Sequence, residues 1–501
     1  MADAEAHRYR FGPRETRGIV AGLRSGQVAV LGFALVCVVV LLQLSAHPAI
    51  VFAAIAVGLG GAAVAFYPVA GRTAEEWAPI VLLWTGRRLR GRHRYRSPAP
   101  TAGARGPLDG EPELPEALPD PVAGLELLST PLRGEDVGVV KDRKANTYTA
   151  VLAVRVRSFG LLDRAEQERR LAGWGAVMAG LAREHSPIRR LQWVERTVPA
   201  DGDAVARYLQ EERDTTVPLA SSSVASYIEL VESAGAVTQD HELFLALQLD
   251  ARRAWRQVKR LGKGDQGALT LLIRELETLA ERLVAADVHV QGALRPRMLA
   301  RAIRDAYDPY GRTFRARLAA VDPDRAGVDP ANAWPLAADA SWSTYRTDSA
   351  LHATYWISQW PRIDVGATFL APLLMQTQVL RSVAVVMEPV APSVAIRKVE
   401  AARTTDIADE ETRARTGFIT SARRRLQQDA TARREQELAD GHAALRFAGH
   451  VTVSAPDEEG LERACAEVEH AAQQARLELV RAYGQQPEAF TYTLPLGRGL
   501  R

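Results

Sequence analysis

The chain has 501 residues, and its 63 basic and 60 acidic side chains leave a formal net charge of +3. At about 150 residues per domain the length suggests three or so units, and so even a balance excludes a chain-wide surface for nucleic acid or for an acidic partner. Only two cysteines are present, Cys37 and Cys465, which excludes a disulfide framework or a thiolate metal site and fits a reducing compartment.

Residues 1–24 form a basic N-terminal segment, and residues 25–70 read as a two-helix transmembrane hairpin. No charged residue occurs from Ser25 to Ala46, and Val28 to Leu44 spans about 26 Å as a helix. The second run, Pro48 to Ala70, is also uncharged and spans about 35 Å, enough to cross with tilt. Its Gly58, Gly60 and Gly61 offer a small-residue surface for close helix packing in lipid. Lys and Arg near transmembrane ends are retained on the cytoplasmic side. Arg8, Arg10, Arg14, Arg17 and Arg24 precede the pair, a cluster beginning at Arg72 follows it, and the connection at Ser45, Ala46 and His47 has neither Arg nor Lys. Both termini are therefore expected in the cytoplasm, in a multi-pass protein of the cell membrane. A cleaved signal peptide is the competing reading, but its apolar region has about 7 to 15 residues and this run is longer.

Residues 71–96 follow as an interfacial helix and basic run. Thr73 and Glu76 have capping-box spacing, Trp77, Ile80, Leu83 and Trp84 supply apolar contact, and RRLRGRHRYR closes the segment. Arg72, Trp77, Trp84, Arg87, Arg88, Arg90, Arg92, Arg94 and Arg96 are the candidate contacts with the inner leaflet and anionic lipid, at about 1 kcal/mol per charge near the surface. Nucleic acid is the sharper alternative for this run, with Tyr95 the one interleaved aromatic. Residues 97–123 carry seven prolines and read as a linker.

The remainder reads as α+β, in β-β-α-β type units with a long charged helix. In a first region, 124–309, strands are expected at Val137–Val140 and Thr147–Arg157, a helix capped by Asp163 and Glu166, and a strand over Ile188–Val198. A buried strand from His241, a helix over Ala268–Val284, a strand at Val288–Gln291 and a helix over Pro296–Tyr307 complete it. Residues 310–350 are irregular by pattern. In the second region, 351–501, strands near His352–Ile357 and Ser382–Glu388 precede a charged helical stretch from Arg397 to Ala439, ended by Gly441. A strand over Arg446–Ala455, a helix over Asp457–Arg476 and a strand at Leu477–Tyr483 follow. Leu461, Ala464, Cys465, Val468, Ala472 and Ala475 share one face of that helix, which makes Cys465 a core residue rather than a nucleophile.

No chemistry-bearing motif emerges. Gly262, Lys263 and Gly264 lack the upstream glycine and hydroxyl residue of a phosphate-binding loop, no His pair has ligand spacing, and GxSxG is absent. Lys occurs only at positions 141, 144, 259, 263 and 398, an arginine bias of composition rather than a phosphate site. No catalytic, cofactor or metal residue is expected.

Three stretches carry a resemblance: GVVKDRKANTYTAVLAVRVRSFGLLDRAEQERRLAGWG (138–175), HVTVSAPDEEGLERACAEVEHAAQQARLELVRAYGQQPEAF (450–490) and TLPLGRGL (493–500). They resemble the N-terminal, non-motor region of conjugation and type IV secretion ATPases of the CagE/TrbE/VirB type, in which an equivalent of the last stretch leads into the motor domain. The apolar pair is similar to PrgI-like membrane proteins, and the whole resembles an actinobacterial family of integral membrane proteins from such loci. The resemblance implies a structural subunit without ATPase motifs, with inner-membrane lipid, a separate motor ATPase, other secretion subunits and further copies of itself as partners. A component of a type VII secretion apparatus, or a membrane-tethered DNA-binding protein of conjugative transfer, are the alternatives.

Overall fold

The computed structural model describes residues 11, 25–44, 47–67, 71–97, 118–156, 159–199, 217–218, 221–235, 239–321, 326–375, 379–416, 432–439 and 441–500. The N-terminal arginines, the Ser45–Ala46 connection, most of the 97–123 linker and the middle of the charged stretch lie outside these residues. The protein is mixed α+β, with a large antiparallel sheet and two N-terminal apolar helices.

Those helices, α1 (Ser25–Leu44) and α2 (Pro48–Phe66), are long and apolar enough to cross a membrane. Few of their side chains are buried, and the two pack against each other and against the start of α3 (Ala74–Leu89). After α3 the chain forms β1 (Arg94–Arg96), so the end of the basic run is a sheet strand rather than a free tail.

A hairpin, β2 (Leu125–Leu132) and β3 (Glu135–Asp142), leads into β4 (Thr147–Arg155), α4 (Arg164–Leu181) and β5 (Ile188–Pro199). The Asp163 side chain caps α4 by accepting from Glu166 N at 2.9 Å, as its spacing predicts. Next come α5 (Ser222–Gly235), β6 (Gln239–Asp250), α6 (Trp255–Leu261), α7 (Gly264–Ala285), β7 (His289–Ala293) and α8 (Pro296–Tyr307). Strand β4 pairs with β6 and β7, and β5 pairs with β6, all antiparallel. The spatial order β7-β4-β6-β5 with helices after the first and third strands is the split βαβ, or ferredoxin-like, arrangement.

The expectation of irregular chain over 310–350 is overturned. That stretch holds α9 (Arg312–Val321), β8 (Ala337–Ala340) and β9 (Tyr345–Arg346). Its strands, AADA and YR, are four and two residues long, too short for the apolar alternation by which a strand is recognised.

The second part repeats the first. It comprises β10 (Leu351–Gln359), α10 (Ala371–Met375), β11 (Leu380–Pro389), α11 (Pro392–Thr416), β12 (Leu445–Ala455), α12 (Glu458–Gln474), β13 (Glu478–Arg481) and α13 (Gln486–Thr491). The order β13-β10-β12-β11 matches β7-β4-β6-β5 strand for strand, again all antiparallel. In each repeat the outer edge of the first strand is shared, its start by the preceding hairpin and its end by the fourth strand. The repeats meet through their second strands, β5 against β11, antiparallel from Leu191↔Met387 to Arg196↔Ser382. Equivalent edges meeting antiparallel is the geometry of a two-fold contact, here within one chain.

Alternation along the strands sorts the core. Ala150, Leu152, Leu245, Leu247 and Leu249 face α4 and α7, while Val151, Phe244 and Ala246 face the opposite side, where α8 and Phe490 lie. On the second repeat Tyr355, Val451 and Val453 pack under α12, whose Leu461, Ala464, Cys465, Val468, Ala472 and Ala475 are buried as their spacing predicts. Burial pushes the Cys465 thiol up, although Tyr355 and Arg481 pull the other way.

Candidate membrane-interface site

Helix α3 carries apolar residues on two opposite flanks, as expected of a helix covered from both sides. At its start Thr73 N donates to Glu76 Oε2 at 3.3 Å, closing the predicted capping box. The carboxylate of Glu75 lies against Gly26, where α1 begins; a side chain at position 26 would collide with it. A negative charge there also suits the helix macrodipole.

The inner flank of α3 is taken up by the second repeat. Trp77 stacks on Trp342 of the β8–β9 turn, with centroids 5.8 Å apart, and Trp84 meets the same ring edge-on at 5.1 Å. Ile80 is buried between them, against a backbone that can approach only because Gly484 has no side chain: a Cβ there would lie 2.6 Å from Trp342. The Arg72 guanidinium lies over Trp77 and Trp356, 5.5 and 5.9 Å from the ring centres, and Arg87 pairs with Glu488. Six of the nine predicted lipid contacts therefore engage protein elsewhere in the fold: Arg72, Trp77, Trp84 and Arg87 on this flank, and Arg92 and Arg94 through carboxylates.

The outer flank is where apolar surface remains. Leu82, Leu83 and Leu89 are 73%, 59% and 84% exposed. Of these three only Leu83 stood out in the sequence, because the tryptophans mark the opposite flank. Among the other basic candidates, Arg88 lies over Trp84 at 5.3 Å, Arg92 and Arg94 reach Asp120 and Asp339 at 4.0 and 3.1 Å, and Arg90 and Arg96 are exposed.

The three glycines of α2 do not act alike. A Cβ at Gly61 would lie 2.4 Å from that of Ala34 on α1, one at Gly58 would make ordinary contact with Val38, and one at Gly60 would meet open space. Gly61 sits at the closest approach, and Gln27 Nε2 joins the helices by donating to Ala65 O at 3.0 Å.

Phe11 sits among Trp360, Phe369 and Phe447, with centroids 5.2 to 5.9 Å away, and its N–H donates to Pro361 O. Residues before α1 and after α2 thus meet the same repeat. Among the described residues no three His, Cys, Asp or Glu are placed to hold a metal ion. Comparison of the chain with models of known protein families and with curated proteins finds no match.

Proposed function

We propose that this chain is a structural subunit of an inner-membrane export complex of the conjugation or type IV-like kind, docking a separate motor ATPase. In this reading α1 and α2 are a two-pass hairpin of the cell membrane with both ends cytoplasmic. The observation that carries it is the division of α3. One flank is locked to Trp342 and the other presents Leu82, Leu83 and Leu89, next to two apolar helices. Such a helix transmits force between a bilayer and a rigid sheet, which is what a scaffold for a motor requires. The contacts of Phe11 support the hairpin orientation, since both ends of the pair must lie on one side to reach one body.

Exposed Arg90, which follows Leu89 at the end of α3, supports contact with anionic headgroups. The TLPLGRGL stretch, whose counterpart in the resembled ATPases leads to the motor, lies across the first repeat and supports docking there. Purification from native membranes in mild detergent after crosslinking tests the proposal. Recovery of an ATPase with the chain is expected; its absence, or ATP hydrolysis by the chain free of any motor, overturns the reading.

A further inference from the structure

The two repeats differ where the third strand passes into the following helix. In the second repeat two residues, 456 and 457, separate β12 from α12; in the first, residues 251–263 intervene between β6 and α7. This insertion reads ARRAWRQVKRLGK, with six cations and no acid. The corresponding second-repeat junction, Pro456 to Glu459, is acidic. The pattern of the fold does not require the insertion, so its charge has another origin.

Arg252, Arg253, Arg256, Lys259, Arg260 and Lys263 are all exposed, and none makes an ion pair among the described residues. Elsewhere buried arginines are matched, as in Arg196 with Glu242 and Arg304 with Asp348. The two nearby carboxylates are already used. Asp250 accepts from the N–H groups of Arg252 and Arg253 and from Arg189, and Asp265 from Lys141 and Tyr148. The apolar residues Ala254 and Val258 turn into the core and fix the segment, so the cations stand on a rigid support. Trp255 does the opposite: it is 55% exposed, with the Arg256 guanidinium 5.5 Å from its ring centre.

We propose that residues 252–263 bind single-stranded nucleic acid, the six cations tracking the phosphates and Trp255 stacking an unpaired base. An exposed aromatic among unpaired cations is the arrangement that holds single strands without reading sequence. A lipid surface fits less well. The insertion leaves only Trp255 and Leu261 as exposed apolar side chains. Strand β6 is six strand spacings from β8, beside which α3 lies, or about 30 Å along the sheet.

The test uses the whole chain in zwitterionic nanodiscs, with fluorescently labelled oligodeoxyuridine and oligouridine titrated across a salt series. Binding of either supports the site, and the stronger of the two identifies the sugar. Replacing Arg252, Arg256, Lys259 and Arg260 by Gln should flatten the slope of log K against log salt by about 3, at about 0.7 per phosphate contact. Trp255→Ala should lose about fivefold to a hundredfold in affinity with the slope unchanged, and Trp255→Phe should keep most of it. All these positions are exposed, and an unchanged thermal midpoint confirms folding. Equal affinity of parent and the four-Gln variant overturns the proposal. So does a loss that follows Arg88, Arg90, Arg92 and Arg94 instead, or a four-Gln variant that loses anionic vesicles while retaining oligonucleotide.

Discussion

Asp287 and Arg476 hold the same place in the two repeats, each one residue before the fourth strand's approach and each in the left-handed conformation, φ 59° and 58°. The N–H groups that follow, of Val288 and Leu477, return to Leu283 O and Ala472 O at 2.9 and 2.8 Å. This is the helix ending that glycine usually completes. Two non-glycine residues in one uncommon conformation, at matched positions, tie the repeats together more closely than the strand order alone.

Glycine at these positions should separate backbone strain from side-chain pairing. A left-handed residue with a Cβ costs about 1 kcal/mol. Arg476 is exposed, and Arg476→Gly should raise stability by about that amount, read as a higher thermal midpoint by circular dichroism in detergent. Asp287→Gly should gain less, because the Arg170 guanidinium, largely buried, then keeps only Glu166 of its two carboxylate partners. Equal gains at both sites would mean that the Arg170 pair contributes nothing.

Trp342→Ala should release α3 from the sheet without disturbing the first repeat. The change removes one stacked and one edge-on aromatic contact, together with part of the cover over Ile80, at about 2 kcal/mol. Trypsin should then cut after Arg87, Arg88 and Arg90 faster, while cleavage within 147–293 keeps its parental rate. Unchanged cleavage at the three arginines would show that the Arg87–Glu488 pair and β1 suffice to hold the helix.

How much of this was legible depended on how local the signal was. The apolar runs of α1 and α2, the Asp163 cap and the buried face of α12 each lie within a few turns of chain, and the structure has them where periodicity puts them. Strands β1, β8 and β9 are two to four residues long and exist through their partners, so RYR and AADA carry no pattern of their own. The site divided the same way. That Trp77 and Trp84 sit at an interface was readable, but whether they meet lipid or Trp342 depends on a turn more than 250 residues away. The duplication was hidden by unequal connections, the 251–263 insertion among them, and emerged only from matching strand pairings.

Glu242 should govern part of the acid limb of stability. Burial alone would raise its pKa from the ordinary 4.5, but Arg196 and Arg312, at 2.5 and 2.6 Å, outweigh it and hold the carboxyl at about 2. A group depressed on folding stabilises fully above its unfolded value, and that contribution is lost as pH falls from about 4.5 through about 2. Glu242→Gln should therefore cost about 3 kcal/mol at neutral pH, where two arginines are left without their shared charge. The gap between variant and parent in urea should narrow below about pH 4.5 and close only near pH 2. A constant gap across that range would assign the loss to packing rather than charge.

Side chains of β5 and β6 hold the TLPLGRGL stretch against the first repeat. Gln192 is fully buried on β5, donating through Nε2 to Tyr492 O and Leu494 O at 2.8 and 2.9 Å and accepting from Gly497 N at 2.7 Å. Gln248 donates to Leu496 O, and Arg190 donates to Gly497 O and Leu500 O, so three side chains hold the backbone of a segment with no regular structure of its own. Gln192→Leu keeps the volume but strands three backbone groups at about 1 to 3 kcal/mol each, more than one short segment gains by staying in place. The tail should detach while the sheet remains folded. Hydrogen exchange at residues 492–500 should then rise to the rate of an exposed peptide and trypsin should cut after Arg498, with the exchange of β5 and β6 interiors unchanged. If exchange instead rises across both strands together, the stretch is part of the cooperative core, and a partner could not engage it without unfolding the first repeat.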